Sequence, residues 1–202
     1  MNSSLYSLRW QHRKTAGFSM IELMTVIAIM ILLAGILLAS LPGIQSKVNR
    51  NRVEQFMAEL KGGLSTYQLD NGIYPQNVPS GNTQSDRDTA GLEGSKILYK
   101  ELSGDRDLDG EVDMAANEKV YVQRLSYEEN KNSKNPRSTA IGGDFQVVDS
   151  YGDPIRYLAQ PPNIVEKDRL TFNPDYDLWS IAGSDPTDMA SQAAHITNWQ
   201  SN

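Results

Sequence analysis

The sequence predicts an α+β protein in which a long amino-terminal helix, apolar in its first half and amphipathic in its second, packs on a small antiparallel β-sheet head. Three observations predict it. An apolar run with a single carboxylate, Glu22, near its start extends from Phe18 to Leu41, long enough to span a membrane as a helix. Beyond it, Val53, Phe56, Met57, Leu60, Leu64 and Tyr67 recur at helical spacing and draw one apolar stripe. The last third then holds short apolar and alternating segments divided by Gly, Pro, Asn and Asp, which is how short strands joined by turns read.

The 202 residues leave room for one membrane segment and one globular domain with a real core. The boundaries expected are residues 1–17 as a leader, 18–45 as a membrane helix and 46–202 as the head, with the amphipathic half of the helix belonging to the head. The formal charge is −6. Arg9, Arg13 and Lys14 precede Gly17 without any acid, so loss of the leader takes three of 19 basic residues and leaves 16 against 25 acidic ones. A head so acidic argues against nucleic acid, whose phosphates demand clustered Lys and Arg. Without cysteine, no disulfide can brace the domain and no thiolate can hold metal. In an exported domain any such brace falls to oxygen ligands and a metal ion.

The amino terminus does not read as a cleaved secretory signal, since the apolar stretch is too long and no small-x-small site follows it. Basic residues before Gly17 keep residues 1–17 in the cytoplasm and send the carboxyl side outward. Glu22 is the anomaly. A carboxylate near the start of a membrane helix costs a few kcal/mol, so a partner is expected. Cut after Gly17, the chain would begin with an ammonium on Phe18, and Glu22 lies four residues on, one turn away on the same side. Glu22 then answers either a charge of its own chain or the ammonium of a neighbour, and the second sets the axial register of an assembly.

Lys14-Thr15-Ala16-Gly17-Phe18-Ser19-Met20-Ile21-Glu22 resembles the class III signal of type IV prepilins and pseudopilins. The resemblance implies cleavage after Gly17 by a membrane prepilin peptidase, N-methylation of Phe18, and Glu22 as the assembly glutamate. It also implies a type IV pilin-like fold and a homo-oligomeric helical filament. Tyr67 to Pro75 is similar to the turn after the long helix in the major pseudopilins of type II secretion systems.

Along the chain, Pro42-Gly43 predicts a kink or local melt near 38–43. Gly62-Gly63 predicts close backbone packing, and Asp70-Asn71-Gly72 followed by Pro75 predicts the helix end. A loop is expected over 76–88 and a short helix over about 91–102. Strands are expected at 119–125, 145–148, 155–158 and 177–181, with a charged loop over 128–137.

Asp105-Arg106-Asp107-Leu108-Asp109-Gly110-Glu111-Val112-Asp113 carries the strongest chemical pattern outside the amino terminus. Alternating carboxylates closed by a glycine wrap oxygen ligands around calcium. Asp105, Asp107 and Asp109 take positions one, three and five of an EF-hand-like loop. Gly110 takes six, Glu111 offers a carbonyl at seven, and Asp113 takes nine. Ala116 stands where the bidentate Glu of position twelve belongs, and Glu118 comes two residues late. Without a cation these carboxylates would repel one another; the other reading is a solvated acidic turn.

Three later pieces resemble the same pseudopilin family in order: Asp149 to Leu158, through Gly152, Pro154, Tyr157 and Leu158; Tyr176 to Ser180 with Gly183 and Asp185; and Ile196-Thr197-Asn198-Trp199. The family's own calcium loop would use acids where this chain has Ala193 and His195, which leaves Asp185 and Asp188 as weaker ligands there.

An enzyme is not expected, because His12 and His195 are the only histidines and no nucleophile or phosphate-loop motif is present. The resemblance implies a structural subunit of a type II secretion pseudopilus in the inner membrane, its head in the periplasm. Its implied partners are prepilin peptidase, an inner-membrane assembly platform and minor pseudopilins. The alternatives are a pilin of a type IV pilus, serving adhesion, motility or DNA uptake, and a membrane-anchored calcium-binding module that does not polymerise. The absence of a disulfide loop favours the pseudopilin.

Overall fold

The computed structural model describes residues 17–112, 118–184 and 194–199. Helix α1 (Met20–Asn71) is the longest element. The chain divides into two compact units, Met1–Ile44 and Gln45–Asn202. Within the first, every described side chain from 17 to 39 is exposed, and this apolar helix is long enough to cross a membrane. Of the kink or local melt expected at 38–43, the melt does not occur, since the helix runs through Pro42; proline removes one helix hydrogen bond.

Within the second unit, α1 is amphipathic in fact as in sequence: Val53, Phe56, Leu60 and Leu64 are fully buried and Met57 nearly so. The helix ends where expected, with Gly72 at φ 80° donating its N–H to Gln68 O at 2.7 Å, a left-handed cap that a residue with Cβ resists.

Helix α2 (Gln84–Leu102) begins well before the expected residue 91. Its signal was Thr83-x-x-Asp86, a reciprocal capping box: Asp86 N–H donates to Thr83 Oγ1 and Thr83 N–H to Asp86, satisfying two otherwise orphaned donors. Loop composition at 76–88 concealed it. α2 packs against the strands through glycine: a Cβ on Gly94 would lie 1.8 Å from the Tyr157 carbonyl oxygen. Gly94→Ala is therefore expected to destabilise by about 1–3 kcal/mol. Gly62, with nothing within 4 Å of its would-be Cβ, should gain about 0.5–1 kcal/mol as Ala. Opposite shifts in thermal melting check the pair. Of the two adjacent glycines only Gly63 is close-packed, against Val122.

Among the described residues, five short strands form two antiparallel sheets rather than one. β1 (Ser138–Ile141) pairs with β2 (Asp144–Val147) across Gly142-Gly143, both at positive φ. β3 (Arg156–Leu158), β4 (Asp177–Ser180) and β5 (Ile196–Thr197) form the second sheet in that order. The loop expected over 128–137 holds at 131–137 and leads into β1, while its first residues belong to the single-turn helix α3 (Tyr127–Asn130). The Asn130 side chain ties that segment down, donating to Arg124 O and Ser126 O and accepting from Arg137 N. No strand forms at 119–125. Tyr121 and Val122 N–H both donate to Leu102 O, so the segment is spent on the end of α2, and Gln123–Leu125 is a 3₁₀ turn. The alternation there is not a burial pattern: Val122 and Leu125, three residues apart, join the core, and Val120 is exposed.

Candidate functional site

Three places carry the residues singled out from sequence. At the amino terminus Gly17, Phe18 and Ser19 precede α1 in non-helical backbone, and Phe18 is 82% exposed. Ser19 N–H donates to Glu22 Oε2 at 2.8 Å, and Ile21 N–H donates to Ser19 Oγ at 3.3 Å. Ser-x-x-Glu thus closes on itself as a cap, and the carboxylate sits favourably in the first turn of the helix. In the single chain the Glu22 carboxylate thus accepts a backbone N–H, which is neither of the two charges expected for it.

The second place is the acidic loop. One carboxylate oxygen each from Asp105, Asp107 and Asp109 lies within 4.8 Å of the others, inside the ~5 Å that ligands around one calcium ion can span. Asp105 is buried, and its two oxygens accept from Tyr99 Oη at 2.7 Å, Gly110 N at 3.0 Å and Asp109 N at 3.1 Å. Burial, with the Asp105 bond next, pushes the Tyr99 hydroxyl far above the ordinary tyrosine range, so it remains a donor. The chain folds back through Leu108 at φ 62° and Gly110 at φ 93°. Glu118 reaches the loop after all: Arg106 N–H donates to its Oε1 at 3.0 Å. Glu111 is exposed, its N–H bonded to Asp109. Asp113 and Ala116 lie outside the described residues, as do Asp185, Asp188 and Ala193. Nothing in the sequence pattern pointed to Tyr99, which stands one turn before the end of α2.

The third place is the carboxyl-terminal latch. Asn198 binds β4 twice and the residue before it once, donating its N–H to Leu178 O at 3.1 Å, accepting from Leu178 N at 2.9 Å and donating its amide to Tyr176 O at 3.0 Å. Trp199 meets Trp179 edge-on at 5.6 Å. Between them lies Arg87 of α2, its guanidinium 4.3 Å from the Trp179 ring and 5.0 Å from Trp199. Arg87 Nη2 pairs with the fully buried Asp177 at 3.1 Å. His195 begins this latch; burial, then the Arg156 charge, lowers its pKa. The resemblance had placed Asn198 and Trp199 together, and the structure shows that they bind the sheet. Asp149 is a similar internal acceptor, taking Tyr151 N–H and Asp153 N–H around the Gly152 turn, and burial raises its pKa.

The prokaryotic N-terminal methylation motif matches residues 12–38. In its N-terminal part the chain is similar to type II secretion system core protein G of several bacteria. Identity to the Klebsiella pneumoniae protein is 36% over 63 residues, 31% of this chain and 45% of that one. With the Aeromonas hydrophila protein it is 34% over 65 residues, covering 32% and 46%. With that of Vibrio cholerae serotype O1 it is 33% over 63 residues, covering 31% and 43%. The match thus spans less than half the length of these relatives. No solved structure matches the chain.

Proposed function

We propose that this chain, which carries a prepilin-type methylation motif on a membrane-length helix and an α+β head, is a structural subunit of a type II secretion pseudopilus. The observation that carries the reading is Glu22, one turn beyond Phe18 at the start of a helix whose described side chains up to residue 39 are all exposed. Such a surface is satisfied by lipid or by copies of itself. The shared name of the relatives supports secretion over an adhesive or motility pilus. The role is structural rather than catalytic. The subunit waits in the inner membrane with its head in the periplasm, is cleaved by a prepilin peptidase, and joins a filament with minor pseudopilins on an assembly platform. Co-expression with a prepilin peptidase tests the first step. The mature chain is expected to begin at N-methylated Phe18, and a chain retaining residues 1–17 would contradict it.

Calcium belongs to the same proposal, in the Asp105 loop. Asp105, Asp107 and Asp109 supply carboxylates at suitable separations, Glu111 and Asp113 are the further candidates from sequence, and Glu118 borders the loop. The ion would fasten a turn that otherwise concentrates like charge. Titration with calcium is expected to raise the melting temperature of the wild type, by about 2.7 kcal/mol of stabilisation at a hundredfold excess over Kd. Asp107→Ala should lose most of that rise. An equal rise in Asp107→Ala, or none in the wild type, would remove calcium from the loop.

A further inference from the structure

We propose that Arg137, together with Arg52 and Arg124, forms a binding site for a free divalent oxyanion of the phosphate or sulfate class, where α1, the 3₁₀ turn Gln123–Leu125 and the approach to β1 meet. The site stands apart from both the calcium loop and the filament reading. Arg137 is only 7% exposed, yet it makes no ion pair among the described residues. Its guanidinium lies 4.6 Å from the centre of the Phe56 ring, and Nη1 donates to Ser150 Oγ at 3.0 Å. Nε is buried without an acceptor among the described residues. Stacking on an aromatic face offsets part of the cost of burying a cation, but a buried charge without a counter-charge remains heavily penalised. Arg87, buried to a similar degree, has Asp177; Arg137 has no such partner.

The surroundings add positive charge instead of removing it. On α1, Phe56 stands between Arg52, one turn earlier, and Glu59, one turn later, on neighbouring positions of one face. Arg52 is exposed and forms no ion pair among the described residues. Glu59 pairs with Arg124 at 3.1 Å. Arg124 is tied in turn to Arg137 through Asn130, whose side chain donates to Arg124 O and accepts from the Arg137 N–H. Three guanidiniums and one carboxylate thus gather about one ring, two positive charges in excess, on a chain whose formal charge is −6. Burial, and then the Arg124 charge, lowers the Arg137 pKa. Asp149 also acts on Arg137, but its carboxylate is engaged by Ser180 Oγ and by the N–H groups of Tyr151 and Asp153. A guanidinium presents paired N–H donors that fit the oxygens of an oxyanion, and two excess charges match a divalent one. Bound there, the anion would neutralise Arg137 and fasten α1 to the segment that leads into β1.

Equilibrium dialysis of the full-length protein in non-ionic detergent micelles against radiolabelled inorganic phosphate, at fixed ionic strength, tests the site. The wild type is expected to take up a single phosphate per chain saturably, displaced by sulfate and not by acetate at the same concentration. Arg137→Gln is expected to abolish the uptake. Arg52→Gln removes an exposed charge and leaves the core intact, so it carries the test even where Arg137→Gln fails to fold. It is expected to raise Kd about tenfold, the worth of one charge-assisted hydrogen bond. Lys167→Gln, which removes an equal charge from the exposed 3₁₀ turn Glu166–Asp168, is expected to leave Kd unchanged. No saturable uptake by the wild type, equal displacement by acetate, or equal weakening by Arg52→Gln and Lys167→Gln would each overturn the proposal.

Discussion

Glu22→Ala is expected to abolish filament assembly while leaving the protein in the membrane and cleaved after Gly17. Insertion is driven by the apolar run, whose exposed side chains extend from Phe18 through Leu38, and removing a charge from that run makes insertion easier. Assembly loses the only carboxylate in the first half of α1. In the low dielectric between packed helices an unanswered Phe18 ammonium is far costlier than in water, so the effect should be all or nothing rather than graded. Membrane fractionation and electron microscopy of sheared filaments read the two halves of the result.

The second large effect concerns the head. Asp177→Ala should destabilise it by about 3–5 kcal/mol, because the buried Arg87 loses its nearer counter-charge and keeps only the exposed Asp88 at 3.7 Å. Asp177 is fully buried and also accepts the N–H groups of Phe172 at 2.7 Å and Asn173 at 2.9 Å, so three donors lose one acceptor. Arg87 retains its bond to Leu170 O at 3.1 Å and its stacking on Phe172, Trp179 and Trp199, which limits the loss. Asp177→Asn, keeping acceptor oxygens but not charge, should cost less. For a domain of this size the Ala variant corresponds to a fall in melting temperature of about 10 °C. Tryptophan fluorescence suits the measurement, since Trp179 and Trp199 both contact the Arg87 guanidinium.

Periodicity exposed α1 because a single stripe of large apolar residues faces one core, and Phe56, Leu60 and Leu64 left no other reading. The carboxylates of the acidic loop were legible for a different reason: Asp105, Asp107 and Asp109 are close in sequence, so a single turn brings them together. What escaped was held by long-range pairs. Arg87 and Asp177 stand on α2 and β4, Asn77 and Ala159 exchange hydrogen bonds across the chain, and Tyr99 approaches Asp105 only because α2 ends between them. The early start of α2 escaped because a four-residue cap was outweighed by Ser, Asn and Gly around it. Residues 119–125 misled because their alternation does not match their burial, which falls on Val122 and Leu125, three residues apart, and leaves Val120 exposed.

The most direct measurement takes the chain expressed with a type II secretion assembly apparatus, shears filaments from the cells, and determines the amino terminus of the subunit they contain. The prediction is a filament built of this chain, beginning at N-methylated Phe18. Recovery of the protein solely as a membrane monomer, cleaved or not, would contradict it.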